Sequence, residues 1–174
     1  MTSLAVRPAT AADDDFLHRV YAAARDEEVA AFGWTPPQME LFIDSQFSAQ
    51  QRHYRAVRPH AVDEIVEAGG TPVGRLYTDR GPAALTVLDI ALLAERRGAG
   101  IGTTLLRGLQ AEAAALDVPV ELRVVRTGRA RRLYERLGFQ ATGDDGHRLA
   151  LRWSPPGLVL TAAFARHRQP EGVA

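Results

Sequence analysis

Three glycines at alternate positions follow a buried apolar segment and could form a binding site for an anion. Residues 85–93 are apolar and rich in β-branched side chains except for Asp89, which is typical of a strand buried on both faces. Apolar residues then recur at helical spacing. A turn between the two elements would leave the first N–H groups of the helix unpaired at the positive end of its dipole, so we expect it to bind a phosphate. The glycines of this turn are Gly98, Gly100 and Gly102.

The spacing of these glycines distinguishes three kinds of phosphate site. A P-loop requires Gly-Lys-Ser/Thr, and the chain contains no Lys. A dinucleotide fingerprint requires a third glycine at the position of Thr103, so that interpretation is weak. The pattern that remains is Arg97-x-x-Gly100-x-Gly102.

A second motif lies in residues 130–139, which read ARRLYERLGF. It resembles the pattern A-x-x-L-Y-x-x-x-G-F of the GNAT acetyltransferases, and the glycine turn is similar to their acetyl-CoA pyrophosphate loop, Q/R-x-x-G-x-G/A. The two motifs stand in the order of that family and one helix plus one strand apart. The resemblance covers roughly residues 4–153 and is specific because each motif gives context to the other.

The resemblance implies an α/β fold in which a mixed, mostly antiparallel sheet of about seven strands is flanked by about four helices. In that family the central strand and the strand after it splay apart; here these strands are residues 85–93 and 120–125. We expect a single domain over residues 1–154. The C-terminal tail, residues 155–174, would dock on this domain, dock on a partner subunit or fray, which leaves a homodimer open.

The resemblance also implies which groups hold the cofactor. Main-chain N–H groups of the glycine turn would bind the pyrophosphate, with the Arg97 side chain neutralising charge. The main chain of the central strand would bond the pantetheine arm, and the N–H of Leu92 would stabilise an oxyanion at the thioester. Thr127 stands where relatives usually carry Asn, at the expected N-cap of the second motif's helix. The implied cofactor-binding residues are Ile90, Ala91, Leu92, Arg97, Gly98, Ala99, Gly100, Ile101, Gly102, Thr103, Thr127 and Tyr134.

Two ionisable residues are the catalytic candidates. Tyr134 would protonate the leaving sulfur of coenzyme A; the alternative is a core tyrosine whose hydroxyl is satisfied. Asp89 is the one ionisable group within the central strand and resembles in position the carboxylate that some relatives use as a base. An ion pair or a bond to a neighbouring loop would equally explain it. Lesser candidates on nearby strands are Glu64, Glu67 and Tyr77.

The remaining pattern predicts elements on either side of these motifs. A first strand covers residues 4–7, and Thr10 to Asp13 has the spacing of a capping box before a helix. Residues 26–31 either continue or follow that helix. A second helix follows Trp34, with an apolar side and a Gln/His side. The Gln/His side is either solvated or part of the acceptor site; its residues are Gln46, Gln50, Gln51 and His53. Residues 60–68 and 72–77 predict a hairpin, and residues 139–142 and 147–153 predict a closing pair of strands.

Composition excludes several classes of function. The net charge is zero and the pI is about 7.0, so nothing indicates binding to nucleic acid or to an anionic membrane. The chain has no Cys, and His53 has no second ligand at helical spacing, so we expect no metal site. The N-terminal segment lacks the pattern of a signal peptide, and we expect a cytoplasmic protein.

Together these observations predict an acetyl-CoA-dependent N-acetyltransferase acting on a primary amine of a small molecule. A protein N-acetyltransferase and a non-catalytic acyl-CoA-binding module remain as alternatives.

Overall fold

A computed structural model describes residues 3–25, 33–128 and 130–158 of the chain. Within these ranges lie one sheet of seven strands and four α-helices. The strands are β1 (Leu4–Pro8), β2 (Val62–Ala68), β3 (Thr71–Arg80), β4 (Leu85–Leu92), β5 (Val120–Val125), β6 (Gln140–Asp144) and β7 (Arg148–Trp153). The helices are α1 (Asp14–Ala23), α2 (Pro36–Val57), α3 (Ile101–Ala115) and α4 (Arg131–Arg136).

The strands lie in the order β1-β2-β3-β4-β5-β7-β6. Only β4 and β5 run parallel, and every other neighbouring pair is antiparallel. The parallel pair is joined through α3, the helix-containing crossover that parallel strands require. The expectation of a mixed, mostly antiparallel sheet is therefore confirmed.

The parallel pair separates along its length. Pairing between β4 and β5 begins at Leu85 with Val120 and ends at Val87 with Leu122. Directly after Val87 the register between β4 and β3 shifts, which leaves Leu88 as an extra residue in β4. Such a bulge bends the strand that carries it. The second half of β4 therefore pairs with β3 alone, and this is the expected splay of the central pair.

The core has one part on each face of the sheet. The larger part packs α3 and α4 against one face and includes Leu106, Leu109 and Tyr134. On the other face, α1 covers β2 and β4 through a smaller cluster that includes Val20 and Ala91. Helix α2 packs on α1 on this second face, where Ile43 is its one fully buried side chain among the described residues. Asp89 and Ala91 lie two residues apart in β4 and therefore share a face of the sheet. The carboxylate of Asp89 thus also faces α1 and α2.

Local sequence signals explain where the helices begin and end. The carboxylate of Asp13 accepts bonds from the N–H and the hydroxyl of Thr10, as the capping-box spacing predicts. Helix α4 ends where Gly138 takes a φ of +82°. The N–H groups of Gly138 and Phe139 then bond back to the last turn of α4, each at 3.0 Å, which confirms Gly138 as its terminating residue.

Two expectations fall outside the described residues: the continuation of the first helix over residues 26–31, and all of the C-terminal tail beyond residue 158. Within the described ranges, no helix combines the length and apolar content needed to cross a bilayer.

Gly74 is the position in β3 where an added methyl group would disturb β4 most. A Cβ there would overlap the carbonyl oxygen of Ala91 and lie 2.5 Å from a methyl group of Leu92. We expect Gly74→Ala to lower the free energy of unfolding by about 3 kcal/mol, the upper end for overpacking. Gly108→Ala is the control, since a Cβ in this part of α3 meets nothing within 4 Å. That variant should be about 1 kcal/mol more stable than the parent. Urea unfolding measures both, and equal effects would contradict the packing of β3 on β4.

Candidate active site

The glycine turn ends in a helix whose first N–H groups have no partner in the helix. Helix α3 begins at Ile101. Its N-cap is Gly100, and no side chain in the described part of the chain caps it. The first helical bond runs from the N–H of Thr104 to the carbonyl of Gly100 at 3.0 Å. The N–H groups of residues 101–103 therefore remain available to an anion.

Each glycine in the turn has its own physical reason. Gly98 and Gly100 have φ values of +78° and +81°, a region that other residues enter only with strain. A Cβ at either position would meet nothing within 4 Å, so conformation and not space selects glycine there. Gly102 lies inside the helix, and its Cβ would come 3.4 Å from Leu133 of α4. The turn is thus held between β4 and α4.

The side chain of Arg97 bonds to two main-chain carbonyls near the turn. Its Nε donates to the carbonyl of Leu92 at 3.1 Å, and its Nη2 donates to the carbonyl of Ala23 at 2.7 Å. These bonds tie the turn to the end of β4 and to the end of α1. Arg97 therefore positions the turn, and neutralisation of phosphate charge by its side chain stays a prediction.

The backbone of β4 presents alternate residues to the gap beside β5. The N–H of Leu93 bonds to Val73 of β3 at 3.0 Å. Because bonded and non-bonded pairs alternate in an antiparallel ladder, Ala91 also bonds to β3, whereas Ile90 and Leu92 direct their main-chain groups into the gap. The geometry therefore supports Ile90 and Leu92 as ligands for an extended arm and does not support the main chain of Ala91.

Tyr134 holds a buried phenol that has no hydrogen-bond partner among the described residues. Its side chain is 6% exposed and its ring packs edge-on against Phe139, with centroids 5.7 Å apart. Burial, together with the negative charge of Asp89, raises the pKa of Tyr134 to about 12. The hydroxyl bonds to no residue that the structure describes. A core tyrosine with a satisfied hydroxyl is therefore not what the structure shows; the phenol is protonated at neutral pH and able to donate.

Asp89 combines a buried position with one partly available oxygen. About a quarter of its side chain is exposed (24%), and its Oδ2 accepts from Nη1 of Arg75 at 3.2 Å. Burial raises the pKa of Asp89, and the guanidinium of Arg75 opposes that rise. The ion pair left open by the sequence is thus present. Its Oδ1 has no hydrogen-bond partner among the described residues and can accept a proton.

A family model described as "Acetyltransferase (GNAT) domain" matches residues 49–141, which is more than half of the chain. The chain belongs to the GNAT acetyltransferase family. It is therefore an acetyltransferase that uses acetyl-CoA, as the glycine turn and the second motif predicted.

Solved structures of other GNAT proteins share the fold. The chain is similar to PaiA N-acetyltransferase from Thermoplasma acidophilum, solved in complex with coenzyme A, with a TM-score of 0.67, 19% identity and coverage of 87% of this chain and 99% of that one. For an acetyltransferase from Corynebacterium glutamicum described as histone acetyltransferase HPA2 and related, the values are 0.63, 26%, 91% and 99%. For the ribosomal-protein-S18-alanine N-acetyltransferase from Escherichia coli they are 0.57, 20%, 86% and 91%. The search of curated proteins found no match.

The GNAT chain departs from its family at Thr127, and the structure corrects what was expected there. Thr127 does not cap α4, because the N-cap position is taken by Ala130. A turn closed by the bond from the Gly128 N–H to Val125, at 2.9 Å, separates the two. Thr127 instead lines an open groove of about 670 Å³. The groove's other lining residues are Arg126, Gly128, Arg131, Arg132 and Glu135, so its charge suits an anionic part of coenzyme A.

Helix α2 bonds to the residues around Asp89 through its Gln/His side, which the sequence left as either solvated or part of the acceptor site. Gln50 and Gln51 accept bonds from Arg75 at 3.3 and 2.8 Å. The hydroxyl of Tyr54 donates to the carbonyl of Leu88, the bulge residue of β4, at 3.0 Å. Gln50 and Gln51 are therefore bonded to the sheet and are only partly exposed. Gln46 and His53 are exposed, as the simpler reading expected.

The lesser candidates for a base are placed elsewhere, with one exception. Glu64 lies on the α3 face of the sheet, 3.6 Å from Arg80. Glu67 pairs with Arg7 at 2.8 Å. Tyr77 stands opposite Asp89 in the register and packs against Tyr54, so it alone shares the site. Among the described residues, no group of three or more metal-ligating side chains comes together.

Sequence reasoning missed Arg75, although the signal was available. Asp89 was noticed because a charge inside an apolar strand needs a reason. Arg75 interrupts the neighbouring strand segment PVGRLY in the same way. The pairing of Arg75 with Ala91, one step from Asp89 on the same face, depends on a register that the sequence does not reveal.

Proposed function

We propose that this acetyltransferase transfers the acetyl group to the primary amine of a small molecule. The observation that carries the proposal is the protonated phenol of Tyr134, which bonds to no described residue and whose pKa is raised by burial and by the charge of Asp89. A module that only binds acyl-CoA needs neither a buried acid nor a base near it. The phenol of Tyr134 holds a proton that it can donate, and the carboxylate of Asp89 can accept one. Acid–base catalysis uses such pairs of groups, whose environments separate their pKa values.

The size of the acceptor is inferred from how α2 covers the site. Gln50, Gln51 and Tyr54 attach the helix to the sheet directly beside Asp89, and three quarters of that carboxylate's side chain is covered. A small amine can approach such a carboxylate more easily than an extended polypeptide. Compact, largely covered clefts are typical of sites for small molecules.

Main-chain and side-chain groups of this protein would hold the successive parts of acetyl-CoA. The N–H groups at the start of α3 would bind its diphosphate. The glycine turn fits this role because its backbone has positive φ values at Gly98 and Gly100, which favour glycine. The main chain of Ile90 and Leu92 would bond its pantetheine arm in the gap. The arginines around Thr127 would meet its remaining phosphate charge. Acetyl-CoA supplies the acetyl group as a reactive thioester.

Two proton movements fall to side chains of this protein. An amine is largely protonated at neutral pH, so Asp89 Oδ1 would accept its proton directly or through one water molecule. The phenol of Tyr134 would donate its hydrogen to the departing sulfur. The N–H of Leu92 would stabilise the negative charge that develops on the carbonyl oxygen; such a donor contributes about 3 kcal/mol.

Release of free thiol from acetyl-CoA across a panel of acceptors tests this proposal. The panel contains small primary amines, peptides with free N-termini and a reaction without acceptor. We expect turnover with members of the first group. Turnover with peptides alone would replace the small-molecule assignment. Tight binding of acetyl-CoA by calorimetry, with no thiol release for any acceptor, would favour the non-catalytic module.

A further inference from the structure

Arg75 lies completely buried beneath α2 and uses every N–H it has. Its Nε and Nη2 donate to the two oxygens of Asp63, each at 2.7 Å. Nη1 donates to Asp89 at 3.2 Å and to Gln50 at 3.3 Å, and Nη2 also donates to Gln51 at 2.8 Å. A guanidinium has five N–H donors, so none is left over. This one side chain therefore joins β2, β4 and α2.

The charge of Arg75 is shared unequally between the two carboxylates. Asp63 takes the two short, parallel bonds, the geometry in which guanidinium and carboxylate interact most strongly. Asp89 receives a single, longer bond. Both carboxylates are mostly covered, with 22% and 24% of their side chains exposed. Because one positive charge faces two negative ones, Asp63 and Arg75 must act on Asp89 in opposite senses.

We propose that Arg75 is a positioning residue that fixes the carboxylate of Asp89 in the acceptor site and keeps it ionised, while Asp63 limits how far it does so. The proposal rests on the proposed function, since it takes Asp89 as the base. The bonds to Gln50 and Gln51 make the same arginine the anchor of α2 over that site.

The other charged and titratable groups near Asp89 stay constant in the relevant pH range. Burial raises the pKa of Tyr54 and of Tyr77, and the pKa of Tyr134 is about 12, so all three phenols are neutral in acid. Arg25, which follows α1, lies over the ring of Tyr21 and lowers the pKa of Asp89. From β7, Arg148 acts on Tyr54 and opposes the rise of its pKa. Among these groups, Arg75 bonds to both Asp63 and Asp89, so substitutions of Arg75 and Asp63 test how its charge is shared.

The acid limb of kcat/KM against pH tests the proposal. A base must be deprotonated, so activity falls as pH drops through the pKa of Asp89. In Arg75→Gln the favourable charge is lost, and the limb should move up by about one to two pH units. In Asp63→Asn the competing negative charge is lost, and the limb should move to lower pH. A purely structural role for either residue would not move the limb in opposite directions.

Arg75→Lys and Asp89→Asn separate the possible outcomes. Lys restores the charge without the five bonds, so the limb should return towards its original position while kcat stays reduced. Asp89→Asn should remove the limb and most of the activity; an unchanged limb in this variant would overturn the base assignment and the inference with it. A different result would overturn the inference alone. In that result, Asp89→Asn loses the limb, but Arg75→Gln and Asp63→Asn either leave the limb in place or move it in the same direction. If Arg75→Gln does not fold, the limbs of Asp63→Asn and Arg75→Lys decide by the same criteria.

Discussion

Replacing Tyr134 with Phe should lower kcat at least about 100-fold, the lower end of the contribution of a positioned acid. The dissociation constant for acetyl-CoA should change little, because the aromatic ring that packs against Phe139 is kept and only the hydroxyl is removed. Steady-state kinetics with the best amine acceptor gives kcat, and calorimetry gives the affinity. A variant that turns over at the parental rate would remove Tyr134 from the acid role.

The same phenol predicts the shape of the pH profile on the basic side. The acid form of Tyr134 is the active form, and it persists below its pKa of about 12. Its ionisation should therefore cause no loss of activity up to about pH 10. A basic limb with a midpoint below 10 that disappears in Tyr134→Phe would contradict the described environment of the phenol.

Gly102→Val should raise the dissociation constant for acetyl-CoA by about 100-fold or more, which is about 2.7 kcal/mol. The added side chain would stand among the N–H groups that open α3 and against Leu133, 3.4 Å from the position of the new Cβ. Phosphate bound to main-chain donors cannot avoid such a group. Calorimetry with acetyl-CoA measures the loss.

Gly108→Val is the matched control for this variant. It introduces the same β-branched residue into the same helix, where nothing lies within 4 Å of the new Cβ. Both variants share the helix-propensity cost, so a difference in affinity reports the turn itself. Equal affinities would mean that the phosphates bind elsewhere. Thermal unfolding of both proteins shows whether pressure on Leu133 has loosened α4.

The sequence predicted the site's backbone well, because backbone sites leave patterns in order along the chain. Alternate glycines after a buried strand predicted a turn that leads into a helix, and Gly138 predicted the end of α4. Asp89 was identifiable as a charge in an apolar strand. The hairpin of β2 and β3 followed from the Gly69-Gly70 turn, which has the positive φ values that the pair suggests.

What the sequence could not predict depends on contacts between distant residues. Arg97 was expected to face a phosphate. Its bond to the carbonyl of Ala23 could not be predicted, because Ala23 is far from Arg97 in the sequence. Thr127 was expected to cap α4, but a turn placed the cap three residues later. The bonds of Arg75 to Asp63 and Asp89 require the register of three strands. Side-chain direction in loops and pairing across a sheet are set by tertiary packing, which local patterns do not encode.

The bulge at Leu88 affects both the gap beside β5 and the attachment of α2 to the sheet. It coincides with the end of pairing between β4 and β5, and its carbonyl receives the hydroxyl of Tyr54 from α2. One irregularity in one strand therefore opens the gap for the cofactor arm and provides an anchor for the helix beside Asp89. Bulges often occur next to active sites for this reason.

A crystal structure of the protein with acetyl-CoA tests the central claim most directly. We predict the diphosphate on the N–H groups of residues 98–103, the pantetheine arm bonded to Ile90 and Leu92, and the sulfur within hydrogen-bonding reach of the Tyr134 hydroxyl. A bound cofactor that leaves this turn empty, or that places its sulfur away from Tyr134, would contradict the site described here.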